Sequence, residues 1–593
     1  MFGRVLVANR GEIAIRIMRT LREMDIASVA VYSDADRDAL FVQHADEAYH
    51  LGPAPAAESY LHVERILEVA LRSGAGAVHP GYGFLAENAG FARACAEAGV
   101  TFIGPPPDAI EAMGSKVSAR ALMAAAEVPI VPGVTEPVDT VEDAAGIAEE
   151  IGYPVAVKAA AGGGGKGFRV AETADRLADA FEGARRESEK FFADSVVYLE
   201  RYLPRPRHVE VQVMADAHGH CVWLGERDCS VQRRHQKLVE ETPSPVVSDA
   251  LRQRMGEASV RAAQAVGYRS AGTVEYLVSG EEFFFLEMNT RIQVEHTVTE
   301  AVTGLDLVRE QVRIAAGEAL SVHQEDVAPR GHAFEARINA EDAERRFLPS
   351  PAPITAYREP SGPGVRVDSG VRAGSVVQEI YDPMIAKLIV WDVDREAARR
   401  RMLRALDELV IEGPATLIPF HRWLFEQQEF ADGGACHDQL ARIEAEDTPL
   451  QPGRAPSAQL AGDVGEGAEP LAAREFVAEV DGRRFEVVLR FPEGQLGAGA
   501  AGANPRKRAK RERHGGHASA TAAKEAVSTP MQGTVLRVEV EVGQEVAEGE
   551  VICIVEAMKM ENEVTAHRPG VVRELNVAEG DSVEPGQVIA IVD

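Results

Sequence analysis

Aromatic residues are scarce in this chain of 593 residues, at 6%, and only three of them are tryptophan. Cysteine is scarcer still: Cys95, Cys221, Cys229, Cys436 and Cys553 stand far apart, without a CxxC pair. That spacing argues against a zinc site and a disulfide framework, and it points to a reducing compartment. Positive charge is in deficit, with a formal net charge of −30. An acidic surface repels phosphate backbones, so no nucleic-acid partner is expected. No apolar run approaches the ~20 residues that cross a bilayer, and Met1–Arg4 leads into a strand rather than a charged-then-apolar signal. The expectation is a cytoplasmic protein without a membrane partner. A chain this long exceeds one hydrophobic core and should hold roughly three to five domains.

What the chain does contain is a repeat. With a shift of thirty-seven positions Gly533 falls on Gly570, Val535 on Val572, Gly543 on Gly580 and Gly549 on Gly586. Val551, Ile552, Ile554 and Val555 then fall on Val588, Ile589, Ile591 and Val592. Each half is a run of short β-branched strands punctuated by glycine, which predicts a small quasi-twofold sandwich. Lys559 lies at the seam, in the turn joining the halves and between Met558 and Met560. An amine presented there is poor core material and a good attachment point. An exposed lysine of an all-β domain is the plainer alternative.

The N-terminal part reads differently. Arg4–Ala8 is an apolar strand, and Ile13, Ile17, Leu21 and Met24 follow at helical spacing. Strand–helix alternation continues to about Gly104 and predicts an open parallel α/β sheet. No G-x-G-x-x-G follows the first strand, which removes the dinucleotide reading. A glycine loop, Gly162–Gly167, comes shortly after the strand ending at Lys158. It lacks a P-loop's GK[ST] ending, but its amides can approach a phosphate, with Lys116 and Lys158 as cations nearby. In Glu287–His296 the polar residues Glu287, Asn289, Arg291, Gln293 and Glu295 recur at every second position after the apolar Phe283–Leu286. A straight strand from 287 to 295 would span ~26 Å, too far for one reaction centre, so the chain is expected to bend after Asn289. Glu275, Glu287 and Asn289 offer hard oxygen ligands for Mg²⁺, Arg291 a planar fork for an oxyanion, and Glu295 a proton acceptor. A half-exposed strand with a polar face is the competing reading.

The C-terminal module resembles the biotin-carrier domain of biotin-dependent carboxylases, on Ala557-Met558-Lys559-Met560 and the repeat around it. Residues 1 to about 445 resemble biotin carboxylase, an ATP-grasp enzyme. The matches are Ala8–Ala14, His79–Asn88, the glycine loop, Arg207–Glu210, Glu226–Lys237 and Glu287–His296. The resemblance implies an α/β multidomain fold. A Rossmann-like N-terminal domain would cover 1–115, an ATP-grasp domain 116–330 with its lid at about 129–204, and an α+β C-terminal domain 331–445. A linker over 446–526 with a β-hairpin at 475–491 would lead to an all-β biotinyl/lipoyl-like capped sandwich over 527–593. It also implies roles. Lys116, Lys158, His208 and the loop residues Gly163, Gly164, Gly165, Lys166 and Gly167 would hold ATP, with Glu200 and Leu203 near the adenine. Glu275, Glu287 and Asn289 would bind Mg²⁺ or Mn²⁺. Lys237, Arg291, Gln293 and Val294 would position bicarbonate, Glu295 would be the base, Arg337 would face biotin, and His235 would orient Lys237. Lys559 would carry covalent biotin. Cys229 stands inside a catalytic-looking segment, where a packed, inert thiol is the expectation.

The implied reaction is ATP- and bicarbonate-dependent carboxylation of the chain's own biotin through carboxyphosphate. Only ~80 residues separate the two matched parts, which leaves no room for the carboxyltransferase of pyruvate carboxylase. The chain most resembles the α subunit of a bacterial acyl-CoA carboxylase of the acetyl- or propionyl-CoA type. That implies a separate carboxyltransferase β subunit, a biotin protein ligase, and a homo-oligomer within an α/β complex. One departure is Gln532, where the family more often has proline. Two alternatives remain: another ATP-grasp ligase, which has no use for Lys559, and a carrier or scaffold whose carboxylase part is silent.

Overall fold

The computed structural model describes residues 1–134, 137–159, 168–192, 196–233, 236–445, 471–480, 483–492, 526–529, 533–557, 560–583 and 586–593. The glycine loop at 162–167, His235, Asp481-Gly482, Gln532 and Lys559 lie outside these residues, as does the side chain of Lys116.

The first apolar segment is strand β1 (Arg4–Val7), and its successors are β2 (Ala27–Ser33), β3 (Glu47–Gly52), β4 (Ala77–His79) and β5 (Thr101–Phe102). All pair in parallel, in the order β3-β2-β1-β4-β5. The helix Gly11–Glu23 buries Ile13, Ile17 and Leu21, while Met24 falls just beyond it as the cap. Chain order reverses between β1 and β4, the position where open α/β sheets open a crevice. Their loops are locked there: Asn9 Nδ2 donates to the carbonyls of Pro80 and Tyr82, each at 2.7 Å. Gly81 has φ +63°, and a Cβ there would come within 2.9 Å of Asn9. A residue with a side chain does not fit this contact.

Strands β6 (Val155–Ala159), β7 (Phe168–Ala171) and β8 (Val197–Arg201) make a separate antiparallel sheet in the order β7-β6-β8. The helices Val141–Ile151 and Ala174–Phe192 pack on it around Ala148, Leu177, Phe181 and Leu199. The large sheet comprises β9 (Arg207–Ala215), β10 (Cys221–Arg233), β11 (Gln236–Thr242), β12 (Ser270–Ser279), β13 (Glu282–Asn289), β14 (His332–Asn339), β15 (Val365–Ser369) and β16 (Met384–Asp392). Their order is β13-β12-β9-β10-β11-β14-β16-β15, antiparallel throughout. Because β11 pairs with β14, one sheet runs unbroken across residue 330.

Strand β13 departs from the sequence expectation in one detail. Phe283, Phe284 and Phe285 are buried, but Leu286 is 42% exposed. The β12–β13 ladder shifts register between Tyr276–Phe285 and Glu275–Glu287, so Leu286 is the extra residue of a bulge. The bulge brings Glu287 opposite Glu275. As expected, the strand ends at Asn289, and the chain then bends into the helix His296–Thr303.

The hairpin pairs Leu471–Val480 with Arg483–Pro492, longer than expected at both ends. In the C-terminal module two four-stranded sheets pack face to face around Val535, Ile552, Val572 and Ile589. The repeat governs its hydrogen bonds. Gly543 N donates to Val572 O at 2.7 Å, and Gly580 N to Val535 O at 2.8 Å. Gly549 N reaches Ala566 O at 2.8 Å, and Gly586 N reaches Thr529 O at 2.7 Å. The strand Val551–Ala557 pairs with Met560–Thr565, the last pair being Ala557 with Met560.

A substitution pair tests this packing. At Gly570 a Cβ would sit 2.0 Å from Asp593 O, whereas at Gly543 it meets nothing within 4 Å but carries φ +94°. Gly570→Ala should therefore cost about 1–3 kcal/mol through overpacking, and Gly543→Ala about 1 kcal/mol through backbone conformation alone. Amide exchange of the module's strands in the full chain measures both, and equal losses would contradict the packing argument.

Candidate active site

Strands β9, β10 and β11 carry polar side chains among valines. Arg227 on β10 is fully buried, and all its donors find partners. Its Nε donates to Glu210 Oε1 at 2.6 Å, one terminal nitrogen to Gln212 (2.7 Å) and Thr299 (3.0 Å), and the other to Thr273 (3.2 Å) and Gln293 (2.7 Å). Glu210 thus has one oxygen left, which accepts from Lys237 Nζ at 2.6 Å. The same ammonium reaches Glu275 at 2.9 Å and Glu295 at 2.7 Å. The second oxygen of Glu295 accepts from Arg337 at 2.8 Å, and Arg337 Nε donates to Glu240 at 2.7 Å.

This network sets the protonation states. Burial pushes the Glu295 carboxyl up, but Lys237, Arg337 and Arg227 outweigh it and hold the group well below the usual range. Glu275 is likewise pushed up by burial and pulled down further by Lys237 and His208. Burial disfavours the Lys237 ammonium, yet Glu210 and Glu295 raise its pKa well above the normal value. Glu240 behaves oppositely: burial, with Glu295 nearby, pushes it up to about 7 despite Arg337. His208 pairs with Glu275 at 2.7 Å, which raises its pKa against the effect of burial.

The bend after β13 gathers the remaining predicted residues. Asn289 and Gln293 each donate to Glu275 Oε1 at 2.8 Å. Arg291 donates to Asn289 at 3.0 Å and to Glu87 at 3.0 Å. Val294 has its carbonyl held by the buried Lys387 at 2.8 Å. Glu275 and Glu287 face each other across β12 and β13, and Asn289 turns its amide nitrogen to Glu275 and its oxygen to Arg291. A second cluster, His208, Glu210 and Glu275, has donor atoms within 4.8 Å of one another. There the Lys237 ammonium already stands between the carboxylates.

Lys158, Glu200 and Leu203 lie apart from this network. Lys158 and Glu200 form an ion pair on β6 and β8 and, with Leu203, line a cleft of ≈ 410 Å³ under the small sheet, together with Val131, Phe168 and Leu277. Lys116 opens the helix Lys116–Ala125. Gly163, Gly164, Gly165, Lys166, Gly167, His235 and Lys559 lie outside the described residues. Cys229 is a fully buried thiol whose pKa is pushed well up by burial and by Glu210, in keeping with inert packing.

Sequence reasoning missed Arg227, Glu210, Glu87 and Glu240 as site residues. The available signal was the segment 208–213, where His208, Glu210 and Gln212 alternate with valines. All six positions are shielded, so the polar face of that strand points into the protein.

Known proteins match along the whole chain. The family described as biotin carboxylase, N-terminal domain, matches residues 1–110; carbamoyl-phosphate synthase L chain, ATP binding domain, 115–323; biotin carboxylase C-terminal domain, 335–444; and biotin-requiring enzyme, 525–592. The biotin-dependent acyl-coenzyme A carboxylase alpha3 subunit of Mycobacterium leprae is 47% identical, covering 99% of this chain and 98% of that protein. The propionyl-CoA carboxylase alpha chain of Ruegeria pomeroyi is 39% identical, covering 99% of each, over an alignment of 678 residues. The biotin carboxylase domain dimer of Hydrogenobacter thermophilus 2-oxoglutarate carboxylase, solved with MgADP, ADP and bicarbonate, superposes with a TM-score of 0.67. It is 46% identical and covers 75% of this chain and 99% of that one.

Arg227→Met should cost about 3–5 kcal/mol in denaturant unfolding, because it strands Glu210 and Gln293 in a buried site. A loss below 1 kcal/mol would mean the network reorganises around water. The His208–Glu275 pair adds a pH dependence. The raised His208 contributes stability below its usual pKa of 6.5, which is lost as pH rises through its folded value. The depressed Glu275 contributes above 4.5, which is lost as pH falls through its folded value. His208→Gln should flatten the alkaline side of the stability profile and leave the loss through Glu275 on the acid side.

Proposed function

This chain belongs to the biotin carboxylase family, as an acyl-CoA carboxylase α subunit with its biotin carrier on the same chain, and we propose that Glu295, Lys237, Arg291 and Arg337 carry its chemistry. It is an ATP-dependent carboxylase of the ligase class that uses biotin, ATP, Mg²⁺ and bicarbonate. The observation that supports the residue assignment best is the convergence of Lys237, Arg337 and Arg227 on the buried Glu295 carboxylate.

In this reading Glu295 accepts the proton of bicarbonate. Its low pKa in the present arrangement depends on Lys237, Arg337 and Arg227. Bicarbonate held by Lys237, Arg291, Gln293 and the Val294 peptide would draw Lys237 away and weaken that contact to Glu295. A buried carboxylate with less cationic support is a stronger base, so substrate binding itself helps activate it. The deprotonated bicarbonate oxygen attacks the γ-phosphorus, the bond to ADP breaks, and carboxyphosphate forms. Carboxyphosphate then releases CO₂ and phosphate. Biotin would supply the ureido nitrogen that accepts CO₂, and Arg337 would be the residue that faces it.

Glu275, Glu287 and Asn289 would hold Mg²⁺, and the pairing of Glu275 with Glu287 across β12 and β13 fits a hard cation. When bound, the ion neutralises charge on the transferring phosphate. The cleft at Lys158, Glu200 and Leu203 would take the nucleotide: Lys158 faces phosphate, while Val131, Phe168 and Leu277 offer the base an apolar slot. His208, Lys116 and Gly163–Gly167 complete the ATP assignments, and His235 would orient Lys237. Biotin would be attached at Lys559 by a biotin protein ligase. The carboxylated carrier would then serve a separate carboxyltransferase β subunit acting on acetyl-CoA or propionyl-CoA.

Glu295→Gln should lower bicarbonate-dependent ATP hydrolysis by about 10²–10⁴-fold, the range for loss of a general base, while leaving biotinylation intact. Hydrolysis within a few-fold of the parent would sink the base assignment. Lys559→Arg should abolish acid-labile label on the protein from labelled bicarbonate but spare carboxylation of free biotin. Loss of both would remove the carrier from the reading.

A further inference from the structure

Past β14 the chain enters a tight turn, in which Glu341 and Asp342 pair with Pro349 and Leu348. Arg346 and Phe347, neither of them glycine, stand there in succession with φ of +55° and +59°. Such backbone persists only where its surroundings over-determine it, and it concentrates at clamps and ligand contacts. Here the restraint comes from Arg233, the last residue of β10. Its guanidinium lies 4.8 Å from the centre of the Phe347 ring and donates to the Arg346 carbonyl at 3.1 Å. Arg233 pairs in register with Gln236, the neighbour of Lys237. The turn is thus fastened to the hairpin that carries Lys237, and it follows directly on the strand that carries Arg337.

Three features of the turn face outward. Arg345 and Arg346 are exposed, and Leu348 packs against the apolar core of the C-terminal carrier module. That module is strongly acidic: thirteen Asp and Glu stand against four Lys and Arg between residues 527 and 593. Three of the acids, Glu556, Glu561 and Glu563, flank Lys559 within four residues. A chain with net charge −30 repels an acidic module over most of its surface.

We propose that the turn Asp342–Pro349 is the docking site through which the carboxylase part receives this chain's own carrier module. Leu348 supplies the apolar contact, and Arg345 and Arg346 supply the attraction that the acidic face of the module requires. Asp342, opposite Leu348, lies five residues beyond Arg337, at most ~17 Å along the chain at strand spacing. A carrier seated on the turn would thus stand within a span of Arg337 that a long modified lysine side chain can cover. The inference rests on the biotin carboxylase reading and adds to it a receiving surface outside the reaction centre.

The test uses the full biotinylated chain with MgATP and labelled bicarbonate. Acid-labile label on the protein reports transfer to tethered biotin, and ADP release driven by free biotin reports the reaction centre without docking. Arg345→Glu/Leu348→Ser should slow protein labelling by about tenfold or more, because the tethered module loses its seat and retains only its tether-limited concentration. Free-biotin turnover should stay within about twofold of the parent. Glu563→Lys on the carrier, combined with Arg345→Glu, should restore part of the labelling rate. Labelling that is unchanged in the double variant overturns the proposal, as does a loss shared equally with free biotin. The parent's free-biotin activity tests the functional reading separately, so a loss confined to tethered biotin bears on docking alone.

Discussion

A permanently charged guanidinium sealed inside a protein must have all its donors satisfied, and Arg227 meets that demand with Glu210, Gln212, Thr273, Gln293 and Thr299. The geometry of the buried charge network follows from this. With one oxygen fixed by Arg227, Glu210 presents the other to Lys237, and Lys237 in turn draws Glu275 and Glu295 together. Gln293, fixed from the same guanidinium, reaches Glu275 from the opposite side. Arg337 closes the chain by joining Glu295 to Glu240. Cations and carboxylates alternate, so no charge faces a like neighbour alone. A polar network of this kind is stable only when complete, and its members are spread over five strands, a bend and a helix rather than one loop.

The sheet makes that spread possible. Antiparallel pairing from β13 to β15 lines up residues far apart in the chain: Glu275 with Glu210, Asp228 with Glu241, and Glu240 with Glu335. Facing carboxylates would normally destabilise a ladder. Here each such pair lies beside Lys237, Arg227, Arg337 or Arg395, and the one with least compensation, Glu240–Glu335, is where carboxyl pKa values rise. The bulge at Leu286 belongs to the same design, because an unbroken ladder would turn Glu287 to the other face of the sheet.

Much of this was legible in the sequence where local chemistry and periodicity agree. The parallel N-terminal sheet, the break after Asn289 and the twofold module all follow from spacing, and the module's glycines show it residue by residue: φ is +94° at Gly543 and +90° at Gly580, +85° at Gly549 and +82° at Gly586. What spacing could not supply was which polar residues go inside. Arg227, Glu210 and Gln212 look like a solvated strand face, because period-2 alternation is the same whether the polar side meets water or a buried network. The decision is made far along the chain, by Gln293 in the bend after β13 and Thr299 in the helix His296–Thr303, which meet that face at Arg227. The bulge was hidden for a similar reason: a one-residue register shift leaves no mark in a run such as Phe283–Leu286.

The twofold module shows how a symmetric scaffold acquires a direction. Its backbone hydrogen bonds are nearly identical in the two halves, but its surface is not. In the turn beside Val572 stands Val542, 61% exposed, next to the 43% exposed Val571; the matching positions beside Val535 are Glu579 and Thr534. The polar pair lies by Val535, whose strand partner Val555 runs on to Ala557 and the seam holding Lys559. The apolar pair lies by the terminal Asp593. Backbone pairing asks only for glycine and β-branched residues at equivalent positions, so selection on the remaining residues is free to differ at the two ends. An acidic end favours encounter with a cationic surface by charge attraction, without a large apolar area that would slow departure. The scaffold's symmetry supplies rigidity, and its broken surface makes the two ends chemically distinct.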